Sequence, residues 1–186
     1  MHGKRLLTGK LTDWRLRPLT GADCAPLLRL TADLDAFFSP EEVAVAGELM
    51  TERLLRGTAS GYEFLVAEHD RTPVAYTCYG AIPATEGRFD LYWIVVSPRL
   101  RGQGLGRGLL RATEEDIRTR LGGLRLYAQT SSRAAYADTH AFYHAMGYRL
   151  VATLEDYYRT GDGQRIYVRD LDQAPGRSAE SSSGRV

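Results

Sequence analysis

This sequence of 186 residues has only two cysteines, almost no net charge and no long apolar run. Each of these features argues against a class of protein. The two cysteines, Cys24 and Cys78, are too few for a disulfide framework, so we expect a reducing, cytoplasmic setting. The longest apolar run, residues 91–96, is far shorter than the ~20 residues that span a bilayer, so we expect no membrane association. Lys and Arg total 24 against 23 for Asp and Glu, and this near balance argues against a dedicated nucleic-acid binder.

The two ends of the chain differ in composition from the part between them. Residues 1–12 lack hydrophobic periodicity and are predicted to be flexible. Residues 172–186 hold no apolar residue larger than Ala before Val186, so this segment is predicted to be disordered. Residues 13–171 contain no repeat and no linker, which predicts one domain.

Helix caps, turn residues and hydrophobic periodicity predict the order of helices and strands. Ser39-Pro40-Glu41-Glu42 combines an N-cap Ser, a Pro at the first helical position and a Glu at the third, so a helix begins there. Residues 105–121 place their leucines and Ile117 on one arc, which is typical of an amphipathic helix. The complete pattern is β-α-α-β-β-β-α-β-α-β-β, which predicts a mixed α/β fold.

Glycine is the abundant residue, with 19 of 186 against an average of about 7%. Four glycines occupy alternate positions from Gly102 to Gly108, between a predicted buried strand and a helix start. The N–H groups and dipole of a helix N-terminus attract anions, and glycine lets the backbone approach a phosphate closely. Arg101 and Arg107 add positive charge. A tight turn with no ligand is the plainer alternative.

Two well-known nucleotide-binding patterns do not fit this glycine loop. A dinucleotide fingerprint, Gly-x-Gly-x-x-Gly, would need glycine at position 107 or 109, which are Arg107 and Leu109. The P-loop pattern, counted from Gly102, also requires glycine where Arg107 stands. The loop therefore suits a phosphate ligand of another kind.

Two segments resemble the GNAT N-acetyltransferase family. Arg101-x-x-Gly104-x-Gly106 after a strand is similar to the family's acetyl-CoA pyrophosphate motif, and Ala141-Phe142-Tyr143-x-x-x-Gly147-Tyr148 is similar to its second hallmark. The resemblance covers about residues 14–171 and implies a central mixed, mostly antiparallel sheet flanked by helices. It implies acetyl-CoA as co-substrate and no metal.

The resemblance also implies which residues contact the coenzyme. Strand residues before the loop would pair their backbone with pantetheine, and the N–H groups of the loop would bind the pyrophosphate. Many family members carry Asn where this chain has Tyr136, so that side-chain contact differs. The predicted coenzyme-binding residues are Ile94, Val95, Val96, Arg101, Gly102, Gln103, Gly104, Leu105, Gly106, Arg107 and Tyr136.

Acetyl transfer to an amine needs a proton acceptor and a proton donor. A primary amine with a pKa near ~10.4 is mostly protonated at neutral pH, and the departing thiolate benefits from an acid. The family resemblance implies that Tyr143 is the acid, although a Tyr beside Phe142 also suits a helical core. Asp90, between Phe89 and Leu91, is the candidate base, acting directly or through water. A strand Asp bonded to backbone or to Arg is the alternative.

The remaining candidates carry weaker predictions. Tyr92 shares a strand face with Asp90, and Phe38 and Tyr158 are further candidates for acceptor contacts or for ordinary packing. His140 and His144 have the i, i+4 spacing of metal ligands but no third partner, so we expect a solvated helix face and no metal.

Taken together, the sequence predicts a cytoplasmic, acetyl-CoA-dependent N-acetyltransferase. The predicted acceptor is a primary amine of a small, amino-acid-like molecule, attacked directly in a ternary complex. Acetylation of a protein N-terminus or of an aminoacyl group on RNA is an alternative. A catalytically silent module that binds acetyl-CoA and regulates a partner is a third. Dimers are common in the family, so a homodimer is an open expectation.

Overall fold

A computed structural model describes residues 14–171, which form two compact units. Unit one consists of residues 14–79 and 92–113, and unit two consists of residues 80–91 and 114–171. The third and fourth strands and the third helix pass through both units. The predictions of a flexible N-terminus and a disordered C-terminal tail concern residues outside the described part.

Seven strands and four α-helices follow each other in the predicted order. The strands are β1 (Arg15–Pro18), β2 (Tyr62–His69), β3 (Thr72–Ala81), β4 (Arg88–Val96), β5 (Arg125–Ser131), β6 (Arg149–Arg159) and β7 (Asp162–Asp170). The helices are α1 (Cys24–Ala32), α2 (Pro40–Arg56), α3 (Leu105–Thr119) and α4 (Ala137–Ala145). The strands form one mixed sheet in the order β1-β2-β3-β4-β5-β7-β6. The prediction of a mixed α/β fold is confirmed.

Two apolar clusters lie on the two faces of the strands in unit one. Leu27, Met50, Val66, Tyr76 and Val95 belong to the cluster that joins α1 and α2 to the sheet. The other cluster joins the start of α3 to alternate residues of the same strands, among them Ala67, Ala75, Leu105 and Leu109. Successive side chains along β2 and β3 point to opposite faces of the sheet, so these strands pack against helices on both faces.

Local hydrogen bonds explain where the helices of unit one begin. At α2 the Glu42 N–H donates to the Ser39 hydroxyl (3.2 Å), and the Ser39 N–H donates to the Glu42 carboxylate (2.8 Å), which is the predicted capping box. Before α1, the buried Asp23 carboxylate accepts from Thr20 and from both terminal nitrogens of Arg17, each at 2.7 Å. These hydrogen bonds stabilise the N-terminal ends of both helices.

Unit two is built on an antiparallel β5–β7–β6 arrangement with α4. A parallel ladder joins β4 to β5 from Arg88↔Arg125 to Leu91↔Ala128. The helix α4 ends at Ala145, and Gly147 follows its C-cap with a φ of +82°. There the Tyr148 N–H donates to the Tyr143 carbonyl (3.0 Å). This is a Schellman-type termination, and it explains why glycine occupies that position.

The ends of several elements differ slightly from the predictions. The α3 helix ends at Thr119 instead of Leu121, and residues 160–161 join the last two strands. Within the described residues, no helix combines the length and apolar character needed to cross a membrane. The predicted single domain and cytoplasmic setting stay predictions.

Candidate active site

The glycine loop of unit one connects β4 to α3, as predicted. A short 3-10 turn, Pro98–Leu100, follows the strand, and α3 begins at Leu105. Gly102 and Gly104 have φ values of +74° and +86°, in the left-handed region that favours glycine. A Cβ added to either residue would meet no protein atom within 4 Å. The side of the loop where these side chains would project is therefore open.

The start of α3 presents backbone donors to this open side. The Gly108 N–H donates to the Gly104 carbonyl (2.9 Å), which is the first hydrogen bond of the helix. The N–H groups of Leu105, Gly106 and Arg107 precede that bond and have no acceptor within the helix. With the helix dipole, they favour an anion at this position.

Four exposed arginines give the loop a concentrated positive charge. Arg99, Arg101, Arg107 and Arg111 lie in residues 97–113, a segment without Asp or Glu. Within residues 14–171 none of the four forms an ion pair with a carboxylate, unlike Arg17, Arg53 and Arg125. Charges without local partners favour an external anion, so the loop has the properties of a phosphate site.

The neighbouring candidates of unit one lie in the two apolar clusters. Ile94 and Val96 pack towards α3, while Val95 is buried against the α1–α2 cluster. Phe38 is partly buried on that same cluster. Tyr92 is 37% exposed and forms an edge-on pair with Tyr62, their ring centroids 5.6 Å apart. Tyr92 is therefore the more exposed of the two aromatic candidates of unit one, Phe38 and Tyr92.

Arg101 also contacts the segment between α1 and α2. Its guanidinium lies 5.4 Å from the centroid of the Phe37 ring, within the range of a cation–π interaction. No local sequence pattern predicts this pairing, because the two residues are 64 positions apart.

Tyr143 lies on α4 in a cluster of aromatic rings in unit two. Its side chain is 3% exposed, and its ring centroid is 5.2 Å from that of Tyr148 and 5.5 Å from that of Tyr167. None of the described residues gives its hydroxyl a hydrogen bond. Burial raises the pKa of Tyr143 well above its ordinary value, so the hydroxyl keeps its proton at neutral pH.

His140, one turn before Tyr143, is buried, which contradicts the expectation of a solvated histidine. Its Nε2 lies 3.0 Å from the Ser131 carbonyl oxygen and 3.1 Å from Thr130 Oγ1, while Arg165 donates to Nδ1 (3.0 Å). Burial and the Arg165 charge lower the pKa of His140, so the ring is neutral near pH 7. The expectation was wrong because the partners of His140 lie on β5 and β7, far along the chain.

Asp90 lies on β4, in register with Tyr127 of β5. Its side chain is half-buried, and its Oδ1 is enclosed without a hydrogen-bond partner among the described residues. Burial raises the pKa of the Asp90 carboxyl, and hydrogen bonding by the Gln129 amide opposes part of that rise. A carboxyl with a raised pKa is better suited to accept a proton than an ordinary surface carboxylate.

Asp90 and Tyr143 lie on opposite faces of the sheet in unit two. Tyr143 packs on Tyr167, which is in register with Ala128, whereas Asp90 is in register with Tyr127. Adjacent residues of β5 point to opposite faces, so the two candidates are separated by the sheet.

The last two candidates of unit two have clear local partners. Tyr136 ends a 3-10 turn before α4, and the Arg133 guanidinium lies 5.5 Å from its ring centroid. Tyr158 is 49% exposed, and its hydroxyl oxygen accepts from Gln164 Nε2 (3.2 Å). Residues 14–171 contain no group of three or more His, Cys, Asp or Glu arranged to bind a metal.

Comparison with known protein families identifies the family of this chain. A sequence profile of the acetyltransferase (GNAT) family matches residues 29–148, which is more than half of the chain. The chain belongs to the GNAT acetyltransferase family. The matched range includes the glycine loop, Asp90 and the α4 hallmark, so this GNAT acetyltransferase keeps the regions that the sequence resemblance rested on.

Solved structures agree with the GNAT assignment. A candidate acetyltransferase of the family from Desulfovibrio desulfuricans is 41% identical, with 86% of this chain and 99% of that chain covered and a TM-score of 0.82. The ribosomal-protein-S18-alanine N-acetyltransferase of Escherichia coli is 19% identical, with coverages of 90% and 100% and a TM-score of 0.69. A candidate acetyltransferase from Salmonella typhimurium, solved with acetyl-CoA, is 20% identical, with coverages of 90% and 99% and a TM-score of 0.69. The latter two show the shared fold alone. Curated proteins provide no match.

Proposed function

We propose that this GNAT acetyltransferase moves the acetyl group of acetyl-CoA to a primary amine of a small molecule, by direct attack in a ternary complex. The observation that carries the proposal is the β4–loop–α3 segment. It has two left-handed glycines, helix N–H groups without an acceptor in the helix, and four arginines without an acidic partner among residues 14–171. Acetyl-CoA supplies an activated thioester and an anionic pyrophosphate.

The residues of the loop and of β4 in unit one suit the phosphate and pantetheine parts of the coenzyme. The N–H groups from Arg101 to Arg107 would bind the pyrophosphate, because the loop is open where glycine Cβ atoms are missing. The backbone of Ile94, Val95 and Val96, which follows the end of the β4–β5 ladder, would pair with pantetheine. Tyr136 would contribute a ring where many family members have an amide.

Tyr143 is the proposed acid. Its raised pKa keeps the proton on the hydroxyl at neutral pH, so Tyr143 is present as a donor when negative charge develops on the departing sulfur. Because no described residue hydrogen-bonds that hydroxyl, it can donate to a ligand without losing a protein contact.

Asp90 is the proposed base on the opposite face. An amine acceptor must lose a proton before or during attack, and a carboxyl whose pKa is raised by burial takes up that proton more readily. Tyr92, two residues further along β4, and Tyr158 are proposed to contact the acceptor, together with Phe38.

Direct attack is favoured over a covalent cysteine intermediate. Cys78 is fully buried on β3, and burial raises the pKa of its thiol. Burial also raises the pKa of the Cys24 thiol, so neither cysteine is a ready thiolate nucleophile. We therefore assign the attack on acetyl-CoA to the amine itself, with Tyr143 as the proposed acid and Asp90 as the proposed base.

An acceptor panel tests the proposal. Release of free thiol from acetyl-CoA is measured with small amines, amino acids and short peptides with free N-termini. We expect turnover with small amines. Turnover with peptides alone would support a protein N-terminal acetyltransferase, and coenzyme binding without thiol release on any amine would support a silent regulatory module.

The Tyr143→Phe variant tests the proposed acid with the best acceptor. We expect kcat to fall by about 10²-fold, within the range for loss of general acid–base catalysis, with little change in coenzyme affinity. An unchanged kcat in a folded variant would remove Tyr143 from the mechanism.

A further inference from the structure

His140 joins α4 to both neighbouring strands of unit two. Its Nε2 lies 3.0 Å from the Ser131 carbonyl oxygen and 3.1 Å from Thr130 Oγ1, both on β5, and its Nδ1 lies 3.0 Å from Arg165 Nη1 on β7. The residue is 8% exposed, so these hydrogen bonds are shielded from water. The proposed function uses none of these four residues.

The partners of the His140 ring allow one protonation state. A guanidinium has N–H donors and no acceptor, so Nδ1 accepts from Arg165 and carries no proton. The single proton of the neutral ring is therefore on Nε2, where two oxygens face it. The Thr130 hydroxyl donates to the Ser131 carbonyl (3.2 Å), which leaves the lone pairs of Thr130 Oγ1 for His140. His140 is therefore the neutral Nε2–H tautomer.

One face of α4 carries both His140 and Tyr143, and both pack on Tyr167 of β7. Residues three positions apart in a helix are neighbours on its surface. The ring centroid of Tyr167 is 6.0 Å from that of His140 and 5.5 Å from that of Tyr143, each at an interplanar angle of 25°. Tyr167 is fully buried opposite Ala128 of β5. The position of Tyr143 therefore depends on the hydrogen bonds that hold His140 in the same packed layer.

A second proton on His140 would break this attachment. A protonated Nδ1 loses the hydrogen bond from Arg165 and places two positive groups 3.0 Å apart in a buried site. Burial lowers the pKa of His140, and the Arg165 charge adds to this, while the bond to Ser131 opposes part of it. The neutral ring therefore stabilises the fold above pH 6.5, and this stabilisation is lost as the pH falls through the lowered pKa.

The carboxylates near His140 already have cationic partners. The charged or titratable groups around this layer are Tyr143 and His144 of α4, Tyr148, Arg165, Tyr167 and Arg169 of β7, Glu114 of α3, and Asp162 with Arg133. Glu114 pairs with Arg169 (3.4 Å), and Asp162 pairs with Arg133 (3.2 Å). Neither carboxylate therefore compensates a second proton on His140.

We propose that His140 is a positioning residue for Tyr143, and that only its neutral Nε2–H tautomer holds α4 in the active arrangement. The proposal rests on the proposed function, in which Tyr143 is the acid. His140 acts through α4 and Tyr167, and it transfers no proton to the substrate. Protonation of His140 would therefore displace the acid while the Tyr143 hydroxyl still carries its proton.

Long-range ¹H–¹⁵N NMR spectra of the full chain test the tautomer, with His140→Gln to assign the ring signals. We expect a protonated Nε2, an unprotonated Nδ1 and a titration midpoint below 6.5. Arg165→Met should move that midpoint to higher pH, because the charge and the N–H group facing Nδ1 are removed. An Nδ1–H tautomer, or an unchanged midpoint in Arg165→Met, would overturn the proposal.

Near-ultraviolet circular dichroism of the buried tyrosines tests whether His140 controls their packing. We expect the tyrosine signal of the unmodified chain to fall on acidification with the same midpoint as the His140 ring. His140→Gln, whose amide has a donor and an acceptor but does not titrate, should lack this transition. The control His144→Gln, on the same helix and edge-on to Tyr167, should keep it. A transition that persists in His140→Gln would contradict the proposal.

Kinetics with an accepted amine separate a positioning role from a merely structural one. His140→Phe keeps a ring on Tyr167 without the hydrogen bonds, so we expect kcat to fall by roughly 10-fold, with the Kd for CoA unchanged. His140→Gln should recover most of this loss. An unchanged kcat in folded His140→Phe would overturn the positioning role. If no amine is acetylated, the proposed function fails, while the NMR and dichroism series still decide whether His140 holds Tyr143 in place.

Discussion

Replacing Gly104 with alanine separates a coenzyme-binding loop from an ordinary tight turn. Gly104 has a φ of +86°, and an added Cβ would meet no protein atom within 4 Å. The only internal cost is therefore the left-handed backbone, about 1–2 kcal/mol for a residue with a Cβ. For a chain of this size, that cost lowers Tm by roughly 2–8 °C.

The effect on coenzyme binding should be larger than this strain. The new methyl group would fill the space through which the loop N–H groups reach a phosphate. Losing one hydrogen bond to a charged group removes about 1.5–3 kcal/mol, and each 1.4 kcal/mol is a factor of about ten in Kd. We therefore expect the Kd for CoA to rise by at least about tenfold.

Gly161 provides a matched control for Gly104. It lies in the turn between β6 and β7 with a φ of +78° and, like Gly104, no atom within 4 Å of an added Cβ. Gly161→Ala should lower Tm by a similar amount and leave the Kd for CoA unchanged, as measured by calorimetric titration. Equal Kd values for the two variants would refute the assignment of this loop to the coenzyme.

Three further variants test the packing and the charges. Gly108→Ala should lower the free energy of unfolding, measured in urea, by about 1–2 kcal/mol, because the new Cβ would lie 2.6–2.7 Å from Trp14 ring atoms. This clash should outweigh the higher helix propensity of alanine. A gain in stability would contradict the close packing. The hydrogen-bonded ion pair with Arg17 lowers the pKa of Asp23 from 3.8 to about 2. The ionised Asp23 therefore stabilises the fold above pH 3.8, and this stabilisation is lost as the pH falls through 2. Asp23→Asn should thus cost about 2 kcal/mol at pH 7 and progressively less in acid, whereas a pH-independent cost would argue against the ion pair. Burial raises the pKa of Asp90, so its charge destabilises the fold as the pH rises above 3.8. Asp90→Asn should therefore raise Tm at pH 7 but not at pH 3, and it should abolish turnover. A lower Tm of this variant at pH 7 would contradict the destabilising role of the Asp90 charge.

Local patterns in the sequence were sufficient for the helix caps and the glycine loop. Both features depend on residues within a few positions of each other: the Ser39 capping box, and the loop between β4 and α3. Such features are visible in a sequence because their partners are neighbours in the chain.

The parts that the sequence did not show depend on contacts between distant residues. His140 is buried by partners on β5 and β7, and Gln129 meets Gln164 only because those strands pair in one particular register. The pairing of Arg101 with Phe37 likewise joins segments far apart in the chain. Hydrophobic periodicity can place a residue on a face, but it does not determine which strand lies beside it.

The central claim is that this protein transfers acetyl groups from acetyl-CoA to an amine. The most direct measurement follows free thiol and acetylated amine together, by absorbance and mass spectrometry, in one reaction with acetyl-CoA and the best acceptor. We predict one acetylated amine for each thiol released, with both rates reduced in parallel by Tyr143→Phe. Thiol release without an acetylated amine, or no release with any amine, would contradict the account.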